Sequence, residues 1–163
     1  MLDETVQRAL LASGLEYEVL PCDPELADTA AFCEHYGYTL EQAANTIVVA
    51  SRKLEPPEYA VCVVLGTTKL DVNKKVCQLM GIKRASFANG ETTKQLTGMQ
   101  IGGVTAVGIK DLPLYIDAAV MQQPTVIMGG GNRSSKLLLA PAELLKLPGA
   151  HVVEGLAQPK PES

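Results

Sequence analysis

Only two histidines, His35 and His151, occur in this 163-residue chain. His35 falls in a helical pattern among apolar residues and His151 beside a short β-branched run, and nothing in the sequence places a nucleophile next to either. A serine–histidine–acid set is therefore not legible, and both histidines are expected in structural or surface roles. The four cysteines, Cys22, Cys33, Cys62 and Cys77, are far apart and form no C-x-x-C. With so few nitrogen ligands and no metal spacing, no metal is expected. Cys62 and Cys77 sit in apolar, periodic segments and are expected as small buried hydrophobes. No apolar run approaches the length of a membrane span, so no membrane partner is expected. The start, Met1-Leu2-Asp3-Glu4, is acidic where a signal peptide is basic, and a cytoplasmic location is expected. The net charge of −4 also argues against a protein that coats long nucleic acid, which carries more base.

What is present is a normal globular balance, 47% apolar and 20% charged. The length suits one domain with a full core. That domain is expected over residues 1–155, with a flexible tail at 156–163 that carries Pro159 and Pro161. Charge is unevenly spread. Residues 1–51 hold nine acids and one base, whereas residues 52–136 hold eleven bases and six acids. Scattered solvated lysines would account for this, and so would a local positive face for a small polyanionic footprint such as one end of an RNA.

The basic segment carries two glycine clusters. The first, residues 97–108, has Gly98, Gly102, Gly103 and Gly108 and no charged side chain. Glycine lets backbone N–H groups approach a ligand closely, so this segment is suited to gripping with its main chain, or it is a turn between strands. Its glycine offsets and the absence of a following helical period do not fit a dinucleotide fingerprint. The second cluster, Gly129-Gly130-Gly131-Asn132-Arg133-Ser134-Ser135-Lys136, superficially resembles a P-loop. It has Ser135 where glycine must precede the lysine, and Lys136 leads through three leucines to Pro141 instead of opening a helix. A nucleotide-triphosphate site is not expected.

Periodicity predicts an amphipathic helix over 3–13, a strand over 17–20, a helix from Asp28 to Gly37 and a helical turn at 40–44. Strands are predicted at 46–50 and 59–65, plausible antiparallel neighbours, and a third helix begins at 68–71 and stops at Gly81. Further strands are predicted at 84–87, 114–116, 125–128, 136–139 and 151–153, with helices at 91–96 and from Pro141. Central strands with helices at irregular intervals indicate a mixed α/β or α+β sheet, less regular than a doubly wound fold.

Several segments, in order, resemble one family. They are Thr46-Ile47-Val48-Val49-Ala50, Ala60 to Val64, Lys69 to Lys75, Gly81 to Ala88, Thr97-Gly98 with Gly102-Gly103-Val104-Thr105, Tyr115 to Ala118, Gly130 to Arg133 and Leu139 to Leu144. The set is similar to the YbaK / prolyl-tRNA synthetase-associated editing domains and spans roughly residues 16 to 154. The resemblance implies a mixed α/β single domain with a curved, mostly antiparallel central sheet flanked by helices. It implies a free-standing aminoacyl-tRNA deacylase that hydrolyses mischarged aminoacyl-tRNA in trans, with no cofactor. Its partners would be the aminoacyl-tRNA acceptor end and a synthetase, and the oligomeric state is left open. Gly102, Gly103, Val104 and Thr105 would supply backbone donors to the developing oxyanion. Asn45, Thr46, Ala106, Asp117, Gly130 and Gly131 would line the aminoacyl pocket, and Lys69, Lys74 and Arg133 would contact the tRNA.

Two positions depart from the family pattern. The lysine that usually precedes the Thr-hydrophobic strand is Asn45 here, which keeps hydrogen bonding but loses the cation. The proline that usually ends the glycine loop is Ala106, which restores a donor and loosens the loop. These substitutions motivate an alternative, a non-catalytic module that binds tRNA ends or a synthetase. A small-metabolite or nucleotide binder using the two glycine turns is a third possibility.

Overall fold

The β-branched run around Ile47 forms an inner strand of a five-stranded sheet in the computed structural model, which describes residues 2–100 and 102–160. Of the segments read above, Met1, Ile101 and residues 161–163 lie outside the described residues. Helix α1 spans Glu4–Ser13; the Asp3 carboxylate accepts from the Thr5 and Val6 amides, and Gly14 at φ 66° ends it. Strand β1 (Glu18–Pro21) leads through a short turn to α2 (Thr29–Tyr36), which Gly37 closes. Strands β2 (Ala44–Ser51) and β3 (Tyr59–Leu65) follow, and then β4 (Thr68–Leu70). A π-helical turn, Val72–Val76, runs into α3 (Cys77–Met80). Next come β5 (Ala85–Phe87), α4 (Gly90–Thr97), β6 (Leu114–Asp117), β7 (Val126–Gly129) and β8 (Ser135–Leu139). Strands β9 (Ala150–Val153) and β10 (Ala157–Pro159) close the described chain.

The larger sheet has the order β5-β2-β3-β6-β9, antiparallel on the β5-β2-β3 side and parallel from β3 to β6 to β9. A second sheet, β1-β8-β7, is antiparallel throughout, and β4 pairs antiparallel with β10. The architecture is thus mixed α/β and mostly antiparallel. Strand β3 shows why the sheet holds. Val61, Val63 and Leu65 point into one core with Val6, Leu10, Ile116 and Leu137, while Cys62 and Val64 point into another with Val49, Val76 and Leu156. A strand covered on both faces needs apolar residues at every position, as this one has. A third, smaller cluster of Cys22, Ala27, Phe32 and Ile127 lies under α2.

Two expectations are corrected. Residues 68–70 open no helix; they form β4, and the helical pattern begins at Val72. Nor is the chain free from 156 onward. Leu156 is fully buried and Ala157–Pro159 pairs with Leu70 to Thr68, so apolar burial plus a strand partner outweighs the effect of Pro159. All four cysteines are buried and unpaired. Among the described residues no helix is long and apolar enough to cross a membrane.

Candidate active site

Where the start of β2 meets β7, a parallel bridge joins Ala43 to Ile127. Beside it lies a cavity of about 350 Å³. Strand β2 with its preceding residue supplies Ala43 to Val48, and the start of α2 supplies Asp28, Thr29, Phe32 and Cys33. The second sheet supplies Ile127, Met128, Gly129 and Lys136. Gly102 and Val104 of the glycine loop, Phe87, Ala88 and Thr93 complete the wall. Asp28 is the acid and Lys136 the base of this lining.

Lys136 is only 5% exposed. Its Nζ donates to the Ala27 carbonyl at 2.5 Å and the Gly102 carbonyl at 2.8 Å, with the Phe32 ring centroid 5.6 Å away. An ammonium has three donors, so one N–H remains for a ligand. The β7–β8 register explains how the side chain fits. Lys136 stands opposite Gly129, a neighbour without a side chain. Burial pushes its pKa below the usual lysine value and the Arg133 guanidinium adds to that, while the Asp28 carboxylate, and the Cys22 and Cys33 sulfurs once ionised, act the other way.

Asn45 Oδ1 accepts from Thr29 Oγ1 at 2.8 Å, which turns the Asn45 NH2 group toward other partners. Thr46 Oγ1 is buried without a hydrogen-bond partner among the described residues. Asp28 precedes α2 but makes no capping bond; its Oδ1 lies 3.3 Å from Arg133 Nη1. Cys33 offers a sulfur, but burial pushes its thiol pKa up, which leaves it a poor nucleophile near neutral pH.

The glycine loop is divided in its function. The Gly102 and Val104 amides make no hydrogen bond among the described residues, and both residues line the cavity. The Gly103 amide is spent on the Gln100 carbonyl at 2.9 Å, and the Thr105 amide on Met99 Sδ at 3.4 Å. Gly103 is a packing residue: a Cβ there would run into the Asn132 backbone. Its carbonyl accepts from Gly131 N at 2.7 Å, which ties the two glycine clusters together.

Of the predicted site residues, the fold therefore gathers Asn45, Thr46, Gly102 and Val104 around one cavity. Gly103 and Thr105 are turned away from it, for the reasons just given. Ala106 is buried in the main core. Gly130 and Gly131 lie against the N-terminal segment, where Gly130 O accepts from Asp3 N and a Cβ on Gly131 would meet Asp3 and Val6. Asp117 is 3% exposed at the end of β6, faced by the amides of Ala157, Leu156, Ala119 and Ala118. Its burial pushes the carboxyl pKa up against the pull of those amides, and its task is to hold the last strand's approach. Arg133 is likewise occupied, donating from Nε to the Pro24 carbonyl at 2.9 Å as well as facing Asp28. Lys69 and Lys74 lie outside the cavity; Lys69 lines a separate groove.

Sequence reasoning missed Lys136, Asp28 and Phe32 as site residues. A lysine between Ser135 and three leucines, in a predicted strand, was the available signal.

Comparison with known proteins bears on the family and the fold. Residues 23–147 match the aminoacyl-tRNA editing domain family. An Enterococcus faecalis protein, provisionally named a Cys-tRNA(Pro)/Cys-tRNA(Cys) deacylase, EbsC, is 26% identical over 140 residues, covering 85% of this chain and 82% of its own. A crystal structure described provisionally as a trans-editing enzyme for prolyl tRNA synthetase superposes with a TM-score of 0.79 at 28% identity, covering 94% of this chain and 98% of that one. A hypothetical protein of known structure shares the fold, with a TM-score of 0.83 at 24% identity over 95% of this chain and 100% of its own.

Proposed function

The chain belongs to the aminoacyl-tRNA editing domain family, and from that premise we propose that it hydrolyses mischarged aminoacyl-tRNA in trans. The observation that carries the proposal is a cavity lined both by Gly102 and Val104, whose amides make no hydrogen bond among the described residues, and by the buried Lys136. A cavity of about 350 Å³ suits a small or medium amino acid, the class to which the cysteine in the E. faecalis protein's name belongs.

Ester hydrolysis needs three things: a held carbonyl, an attacking water, and donors for the charge that builds on the carbonyl oxygen. Water adds to the carbonyl carbon, the bond to the ribose oxygen breaks, and that oxygen leaves with a proton. The Gly102 and Val104 amides are donors that do not titrate and are fixed before the reaction, which favours them as oxyanion ligands. Lys136, on β8, would supply the cation that the resemblance to the family puts at the position of Asn45, on β2. Asn45 NH2 and Thr46 Oγ1 would bond the ester or the ribose, and Asp28 would receive the α-ammonium of the amino acid. By resemblance to the family, a free ribose hydroxyl beside the ester assists the water, so no protein nucleophile is needed.

The alternative of a non-catalytic binding module rests on the loss of lysine at position 45. Lys136 weakens it, because the cavity still holds a cation. Release of labelled amino acid from a panel of mischarged tRNAs tests the proposal. Faster release than in buffer from at least one small-residue ester is expected; no release across the whole panel would defeat the enzyme and leave the binding module.

A further inference from the structure

Phe87 borders two depressions at once. It lines the cavity described above and also an open groove of about 580 Å³ that includes Arg52, Lys69, Ser86, Gln158 and Pro159. Phe87 is 56% exposed at the end of an edge strand, which leaves its ring open to a ligand. Arg52 and Lys69 are exposed, and neither makes an ion pair among the described residues. Lys74 and Arg84, also exposed and also without ion pairs, lie on the elements that adjoin the groove. The one acid in the lining, Asp71, is turned to its own turn, where Oδ1 accepts from Lys74 N at 3.2 Å.

An unpaired aromatic beside a basic groove is the usual platform for a single-stranded nucleic acid, which stacks bases on the ring and lays phosphates along the cations. We infer that this groove seats the single-stranded 3′ end of the RNA whose aminoacyl group enters the cavity. The terminal base stacks on Phe87, and the phosphates that precede it run past Arg52 and Lys69. The continuity at Phe87 sets the direction, from the esterified ribose in the cavity outward along the groove. It also gives β10 a task, since Gln158 and Pro159 form one bank. The inference rests on the deacylase reading for its polarity, and on the groove's own charge and ring for its ligand.

Two measurements separate the groove from that reading. The first uses a labelled, uncharged oligonucleotide ending in CCA, with fluorescence anisotropy across a salt series. The native protein is expected to bind it at low salt, Phe87→Ala to weaken it about tenfold, and Arg52→Glu with Lys69→Glu to flatten the salt dependence by a slope of about 1.4 for two lost phosphate contacts. The second compares kcat/KM on mischarged tRNA with that on the aminoacyl ester of adenosine alone. The charge-reversed variant is expected to lower the ratio of the two about tenfold, through KM on the tRNA. Oligonucleotide binding that is absent, or indifferent to all three substitutions, overturns the groove whatever the protein hydrolyses. Binding that follows these substitutions in a protein that hydrolyses nothing supports the groove and defeats the deacylase reading alone.

Discussion

Lys136 reaches across from the second sheet to donate to the Gly102 carbonyl at 2.8 Å, so a buried cation and the glycine loop form one unit. The Gly102 and Val104 amides make no hydrogen bond among the described residues, and both residues line the same cavity as Lys136. In the proposed reading, this relation would offset the absence of a lysine at position 45 with a cation from another strand.

Removing that charge should cost catalysis. Lys136→Met keeps an unbranched side chain, one atom shorter, and loses the ammonium. A charged hydrogen bond contributes about 1.5–3 kcal/mol, so kcat for deacylation should fall about 10-fold to 150-fold. Circular dichroism should show the variant folded.

The cation should be transferable. Asn45→Lys alone puts two ammonium groups in a cavity of about 350 Å³ and should lower activity by mutual repulsion. Asn45→Lys combined with Lys136→Met should recover part of the rate lost by Lys136→Met. Steady-state kinetics on the four proteins checks this; a double variant no faster than Lys136→Met contradicts the shared role.

The lysine should also register in the pH dependence of stability. Its folded pKa lies below the unfolded value of 10.5, because burial disfavours the charge. Between those two values the unfolded chain holds a proton that the folded chain has released. The stability contribution of this group therefore rises with pH across that window and is flat below it. Urea unfolding of native protein and Lys136→Met, subtracted at each pH, should show that rise in the native protein.

Gly103→Ala should destabilise without touching the cavity wall directly. The added methyl meets the Asn132 carbonyl oxygen, carbon and nitrogen, which are backbone and cannot swing aside. A cost of about 1–3 kcal/mol or more is expected from such overpacking, measurable as a lower urea midpoint.

Asp117→Ala should separate structure from chemistry. It strips the carboxyl that faces the amides of Ala157, Leu156, Ala119 and Ala118. Stability should fall by about 1–3 kcal/mol for the unsatisfied donors, while kcat at a temperature where the variant is folded stays within about twofold of the native value, a rate difference of roughly 0.4 kcal/mol.

The sequence made much of the fold legible, because its strands carry their own signals. The β-branched 46–50 run, the apolar 59–65 run, and Gly14, Gly37 and Gly81 at helix ends all mark elements that form. Thr68 to Leu70 was less readable: three residues carry too little period to tell a strand from a helix start, and only the distant β10 decides it. Which residues line the candidate cavity was half legible for the same reason. Asn45, Thr46, Gly102 and Val104 could be gathered by family resemblance. That Lys136 faces inward depends on the alignment of β8 against β7 and β1, which brings it opposite Gly129 and Leu20. That Asp117 faces the chain at 156–157 depends on a contact between segments far apart in sequence.

The most direct measurement is an amide NMR titration of the protein with an aminoacyl-adenosine in which a stable amide replaces the ester. The largest shifts should fall on Gly102 and Val104, with Asn45 and Thr46 beside them, and the Asp117 amide should stay still. Shifts centred on another part of the molecule, with Gly102 and Val104 unmoved at saturation, would contradict the placement of the ester in this cavity.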